Sequence, residues 1–296
     1  DFDNARRGLM AASEALVIRN EAGEVVWDQT RYAFEQGEAP DSVNPSLWRQ
    51  AQLNAIHGLF KVTDRVYQLR GFDLANMSLI EGDSGWIIVD PLTTRETARA
   101  AWEFAMQHLP KKSVVAIIFT HSHVDHFGGI SGILSAEEAA KQKVRIIAPG
   151  GFTEEATSEN VMAGVAMQRR AAYQYGRSLG RSERGHVDLG LGKEVPFGGQ
   201  IGILPPTETV SSTPTTLNID GLDFTFQFTP GSEAPSEFTF YLPELKAFCG
   251  AEVVSRNMHN VYTLRGAKVR DALRWSDYIH ELSLIHISEP TRPLYI

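Results

Sequence analysis

The spacing of apolar and polar positions changes several times along the chain, and each change marks an element. "GWIIVDP" (85–91) is an unbroken apolar run closed by proline, which predicts a buried strand. "TTRETARAAWEFAMQHL" follows with apolar residues at helical spacing and threonines suited to an N-cap. "SVVAIIFT" (113–120) is a second apolar strand, long enough to be covered on both faces. "GISGILSAEEAAKQ" predicts a helix, and "KVRIIAP" a third strand ending at Pro149. This β-α-β-α-β order predicts helices packed on a sheet.

Residues 153–182 read as largely helical and polar. The segment 190–216 is rich in Gly, Pro and Thr and reads as one long loop, of the kind that often lines or covers a binding site. "LDFTFQFTPG" alternates as a half-buried strand does, and "SEFTFYLPELKAFCGAE" reads as strand, turn, strand. An amphipathic helix is expected over about 267–282. Two β-rich halves, each under helices, predict an αββα four-layer sandwich spanning 1–282. The final residues, "SLIHISEPTRPLYI" (283–296), carry two prolines and no periodicity, and resemble a translated adapter read-through more than native sequence.

Composition narrows the function. The net charge of −8 argues against a nucleic-acid partner, which needs a basic footprint. An anionic small molecule would need local cations. No apolar run approaches the ~20 residues of a membrane span, and the first twenty residues lack the apolar core of a secretory signal, although the chain reads there as mid-domain. The single cysteine, Cys249, excludes an internal disulfide or a multi-cysteine metal site, and its apolar setting favours a buried thiol.

The chemistry concentrates in "FTHSHVDHFGG" (119–129). His121, His123, Asp125 and His126 follow directly on the predicted strand 113–120. Two residues apart in extended backbone, His121 and His123 face the same way. Asp125 and His126 come after a turn, so strand end and loop can each aim ligands at an ion. Imidazole and carboxylate suit zinc and similar divalent ions. The bland alternative is a polar loop with hydrogen-bonded core histidines, and the tight spacing makes the metal reading the stronger.

HxHxDH after a buried strand resembles the metallo-β-lactamase superfamily, whose fold is the αββα sandwich. The usual later ligands of that family (a lone His, a bridging Asp, a last His) have no match here. Instead "TPGSEAPSEFTFYL" and "CGAEVVSRNMHNVYTLRGA" place Glu233 and Glu252 at strand ends. That pattern resembles the alkyl sulfatase branch, which hydrolyses dodecyl sulfate and related esters. The resemblance implies two Zn²⁺ ions. His121, His123 and Glu233 would hold the first, Asp125 and His126 the second, with Glu252 bridging. Asp125, Glu252 and Arg265 would be catalytic, and Arg265, Asn260 and Tyr262 would bind substrate, Arg265 offering a planar fork to sulfate oxygens. Glu237 reads as structural, and His259 as structural before acid–base. The 190–216 loop would line a channel for an alkyl chain.

The family's last histidine ligand has no good match: His280 lies inside the expected helix, and His286 in the unusual tail. The family's dimerisation and C-terminal domains are also unmatched, so the chain reads as most of one catalytic domain of a homodimeric parent. The branch is often exported to the periplasm or beyond, which leaves the compartment open. Other expectations remain: a thioesterase or β-lactam hydrolase of the same fold, or a non-catalytic metal-binding domain.

Overall fold

The computed structural model describes residues 1–255 and 259–286, with side chains as far as 282. An eight-stranded sheet runs Leu9–Ala11, Gly58–Thr63, Val66–Arg70, Met77–Glu81, Trp86–Val89, Val114–Ile118, Arg145–Pro149 and Glu208–Val210 in spatial order. Its pairing is antiparallel up to Trp86–Val89 and parallel from there on. A four-stranded antiparallel sheet is built from Thr215–Ile219, Leu222–Phe228, Phe238–Leu242 and Ala247–Cys249.

Successive residues of a strand face opposite sides, and both sides of the large sheet are covered. Ile80, Ile87, Ile118 and Ile147 meet Phe224, Phe226, Phe238 and Phe240 of the smaller sheet. Leu79, Ile88, Ile117 and Ile146 belong to the opposite core with Ala98, Ala101 and Ala105 of the helix Arg95–His108. That helix opens on a reciprocal cap between Thr94 and Thr97, as the threonines predict. On the outer face of the smaller sheet, Gln227 Nε2 donates to the Tyr278 carbonyl at 3.0 Å, which seats the helix Ala272–His286 there. Helix, sheet, sheet and helix give the αββα order. Among the described residues no helix is long and apolar enough to cross a membrane.

Two expectations need correction, the start of the last helix and the 190–216 loop. The last helix begins at Ala272, not near 267, because the preceding chain is engaged elsewhere: Arg270 N bonds Val261 O, and Asp271 N bonds Gly231 O. Asp271 Oδ1 then accepts from the amides of Leu273 and Arg274, an N-cap that starts the helix. The backbone of that helix continues to His286, inside the segment read as foreign; side chains from 283 and everything from 287 lie outside the described residues. The 190–216 segment is not all loop, since Glu208–Val210 pairs in parallel with the edge at 147–149. Residues 9–81 supply strands for which the apolar pattern assigned nothing.

The stretch 153–182 is helical as Phe152–Thr157 and Gly164–Gln174, joined by a π-helical turn, Ser158–Met162. Such turns often mark functional positions, and this one carries Glu159 to the site described next.

Candidate metal centre

The strand Val114–Ile118 delivers the histidines. Beyond it the backbone leaves the large sheet and joins the smaller one: Phe238 N bonds Thr120 O, Ser122 N bonds Ser236 O, and His121 pairs with Glu237. His123 then leads into a single 3₁₀ turn, Val124–His126. Gly128 and Gly129 end it for steric reasons. A Cβ at Gly129 would lie 2.2 Å from the Pro91 carbonyl oxygen, and one at Gly128 2.2 Å from that of Thr93.

Six predicted residues converge. His121 Nε2 lies 3.7 Å from Glu233 Oε2 and 3.9 Å from Glu252 Oε2, and His123 Nδ1 lies 2.9 Å from Glu233 Oε2. His126 Nε2 lies 3.3 Å from Asp125 Oδ2 and 3.4 Å from Glu252 Oε1. Ligand atoms of His121, His123, Glu233 and Glu252 fall within 4.8 Å of one another, and so do those of Asp125, His126 and Glu252. Glu252 therefore turns one oxygen to each group.

The donor set fits divalent cations. The Nε2 atoms of His121, His123 and His126 are buried with no hydrogen-bond partner. Burial, then the neighbouring His126 and His123, push the His121 imidazole well below its usual range, so it is neutral. A neutral ring nitrogen aimed between two carboxylates suits a cation among them. Asp90, His121 and His126 also cluster, but Asp90 already accepts from Thr120 N at 2.8 Å, Thr120 Oγ1 at 2.7 Å and His126 Nδ1 at 2.8 Å. Asp90 is an orienting group.

Opposite charges dominate the other titrations. Burial opposes ionisation of Glu233, yet His123, His121 and Arg270 hold its carboxyl well below the carboxylate range. Burial likewise opposes ionisation of Asp125, and His126, His123 and His121 depress it. Against burial, Glu233 and Glu159 raise His123 to about 9, while Asp125 and Asp90 raise His126 well above its usual range.

Arg270 pairs with Glu233 Oε1 and donates from Nε to the Glu233 carbonyl at 2.5 Å. Its other arm reaches Asn260 Oδ1 at 2.8 Å. Glu233 is thereby held by one oxygen, with the other left facing the histidines. Arg265 lines the cavity as expected but is not a free cation, because its guanidinium pairs with Glu159, whose other oxygen lies 3.6 Å from His123 Nε2. His259 lines the same space with Nε2 3.5 Å from Glu233 Oε1.

Tyr262 departs from expectation: it is 55 % exposed and is not among the cavity-lining residues. Thr263 is buried at the start of a turn closed by Gly266 N on its carbonyl, while Tyr262 and Leu264 on either side are exposed. His280 is exposed on its helix, and the His286 side chain lies outside the described residues. Sequence reasoning missed Asp90, Glu159 and Arg270. Only Asp90, placed after an apolar strand in "VDP", carried a readable signal.

The centre forms the floor of a cavity of about 520 Å³. Its walls include Leu74, Val124, Met167, Leu191, Phe197 and Ile201. Apolar residues from the 190–216 segment therefore do line it, as the sequence suggested.

Three relatives are similar over nearly the whole chain. A linear primary-alkylsulfatase of Pseudomonas sp. is 49 % identical over 282 residues, covering 95 % of this chain and 42 % of the relative. An alkyl/aryl-sulfatase of Saccharomyces cerevisiae is 47 % identical, covering 94 % and 43 %. The solved structure of a stereoselective inverting sec-alkylsulfatase from Pseudomonas sp. superposes with a TM-score of 0.93 at 46 % identity, covering 96 % of this chain and 45 % of that one. The chain thus spans less than half the length of these relatives. The sequence profile of the Metallo-beta-lactamase superfamily matches residues 70–226, and with this fold and this ligand cluster the chain belongs to that superfamily.

Proposed function

We propose that this chain carries the catalytic centre of a zinc-dependent alkylsulfatase, hydrolysing linear alkyl sulfates of the dodecyl sulfate type to alcohol and sulfate. The observation that carries the reading is Glu252, with one oxygen toward His121 and the other toward His126 on the floor of an apolar-walled cavity. His121, His123 and Glu233 would hold one ion and Asp125 and His126 the other, with Glu252 between them. Bound there, two zinc ions would supply Lewis acidity and lower the pKa of water toward ~7.

The chain's own groups divide the remaining work. Asp90 fixes His126, and Arg270 fixes Glu233. Arg265 offers the sulfate a guanidinium at the cavity wall, stabilising the charge that develops on it. Asn260 lines the same wall, its carbonyl groups engaged by Arg270. Leu191, Met167 and Ile201 offer the alkyl chain apolar surface, beside Phe197, whose ring is covered by the Arg177 guanidinium. The sulfatase names of the relatives and the glutamates in place of the usual later ligands support this substrate over a thioester or a β-lactam. The parent is proposed to be a homodimer assembled through segments beyond this chain.

One observation favours a second reading, a site that binds metal without turnover. The second group offers three ligands against four in the first, so the first ion would be held more tightly. The test is sulfate release from dodecyl sulfate beside hydrolysis of nitrocefin and a thioester, with zinc content measured on the same preparation. Sulfate release that disappears in Glu252→Ala and with chelator, and returns with zinc, is the expected outcome. Turnover of nitrocefin or thioester alone moves the substrate to a sibling hydrolase. Bound zinc with no turnover of any of the three leaves the non-catalytic reading.

A further inference from the structure

Glu237 lies beneath both glutamates. It is fully buried, and its backbone forms the bridge that carries His121 onto the smaller sheet. Its Oε2 accepts from the Ala234 amide at 3.0 Å and lies 2.8 Å from Ser232 Oγ, whose single proton it shares with the Thr229 carbonyl at 2.6 Å; Ser232 and Ala234 stand on either side of Glu233. Its Oε1 accepts from the Glu252 amide at 3.2 Å. A single carboxylate thus joins two loops that reach the centre from different strands. Both of its oxygens are occupied by protein donors, and it is absent from the groups of potential ligand atoms.

Each carboxyl oxygen accepts from a backbone amide, Oε2 from Ala234 and Oε1 from Glu252, which needs an oxygen at both ends of the group. A glutamine in the same place would turn its NH₂ toward the Glu252 amide or toward Ser232 and Ala234, setting donor against donor on one side. We propose that Glu237 is the positioning residue that sets Glu233 and Glu252 in register, so that both carboxylates meet the ions together. This rests on the two-ion reading of the centre. Residues that orient ligands typically change metal affinity 10- to 100-fold when altered. Glu237 acts on two ligands through their backbones, so its loss disturbs the first ion and the bridge at once.

The experiment is chelator-competed zinc affinity and the visible spectrum of the cobalt-loaded protein, for the wild type, Glu237→Gln and Thr239→Val. Thr239 is buried on the strand Phe238–Leu242 that follows Glu237, but bonds Gln227 at 3.2 Å, away from both glutamates. The expected result is an affinity about 10- to 100-fold lower for at least one ion in Glu237→Gln, with an altered cobalt spectrum. Thr239→Val lowers the melting temperature and leaves affinity and spectrum unchanged. Should Glu237→Gln not fold, Ser232→Ala removes one donor to the same carboxylate and gives a smaller loss in the same direction. Wild-type affinity and spectrum in the folded variant overturn the proposal while the two-ion reading stands. A wild type that takes up fewer than two zinc ions defeats that reading and the proposal with it.

Discussion

Asp90 accepts a hydrogen bond from Nδ1 of His126 at 2.8 Å while its two oxygens also hold the amide and hydroxyl of Thr120. The strand end before Pro91 thereby fixes the ring of one candidate ligand and the backbone next to another. A ligating imidazole needs its second nitrogen protonated and held, and a carboxylate does this best. Asp90→Ala is expected to lower zinc affinity about 10- to 100-fold, with the larger effect on the ion held by His126. Stepwise metal titration with a chromophoric chelator measures it.

Arg265 and Glu159 make opposite predictions. Charge-assisted hydrogen bonds contribute ~1.5–3 kcal/mol, so Arg265→Ala should lower kcat/KM for dodecyl sulfate about 10- to 150-fold. Glu159→Gln leaves the guanidinium without its anionic partner and should tighten inhibition by inorganic sulfate. Steady-state inhibition curves for the two variants decide it. Equal inhibition constants would remove Arg265 from the sulfate site.

The wall segment near Leu191 is anchored from behind. Lys193, buried, pairs with Glu35 and donates to the Ala51 carbonyl at 2.6 Å. Removing one partner of a buried pair typically costs about 3–5 kcal/mol. Burial already lifts Glu35 to about 7 against the pull of Lys193. In Lys193→Met the acid can therefore protonate, and the loss falls near the lower end. Urea denaturation should register it, and adding Glu35→Leu should restore only part of the stability, because the buried carboxylate of Asp188 also faces Lys193 at 3.5 Å and loses its cation.

His186 gives the metal-free protein an acid-sensitive element. Burial, then the cations Arg181, Lys193 and Arg31, lower its pKa to about 4 from an ordinary 6.5. Between those values the unfolded chain binds the extra proton, so the stability is present above pH 6.5 and lost as pH falls toward 4. The full loss is about 3 kcal/mol. His186→Gln should flatten that slope. The histidines of the metal centre titrate as well, so the measurement is the difference in unfolding free energy between wild type and variant across pH 4–7.

Much of the centre was legible because its strongest signal is local. His121, His123, Asp125 and His126 lie within one strand end and one turn, and period and spacing alone place them together. Glu233 and Glu252 were legible only through their positions after strands and a family likeness, since an isolated acid carries no pattern. Glu159 carried none, because its approach depends on a π-helical turn. Tyr262 was misplaced because a one-residue change of facing in a loop has no periodic context. The early strands were missed because Gly58–Thr63 and Val66–Arg70 interrupt their apolar runs with polar residues, the exposed Lys61 and the buried Gln68 among them.

By itself the sequence determined the alternation of strands and helices, the layered fold and the histidine motif, all set by interactions between residues near one another in the chain. The tertiary structure alone decided that Glu252 faces both histidine groups, that Arg265 is paired with Glu159, and that Glu237 ties the two glutamate loops together. Those relationships join residues distant in sequence, and they exist only once the two sheets have packed and excluded water from the space between them.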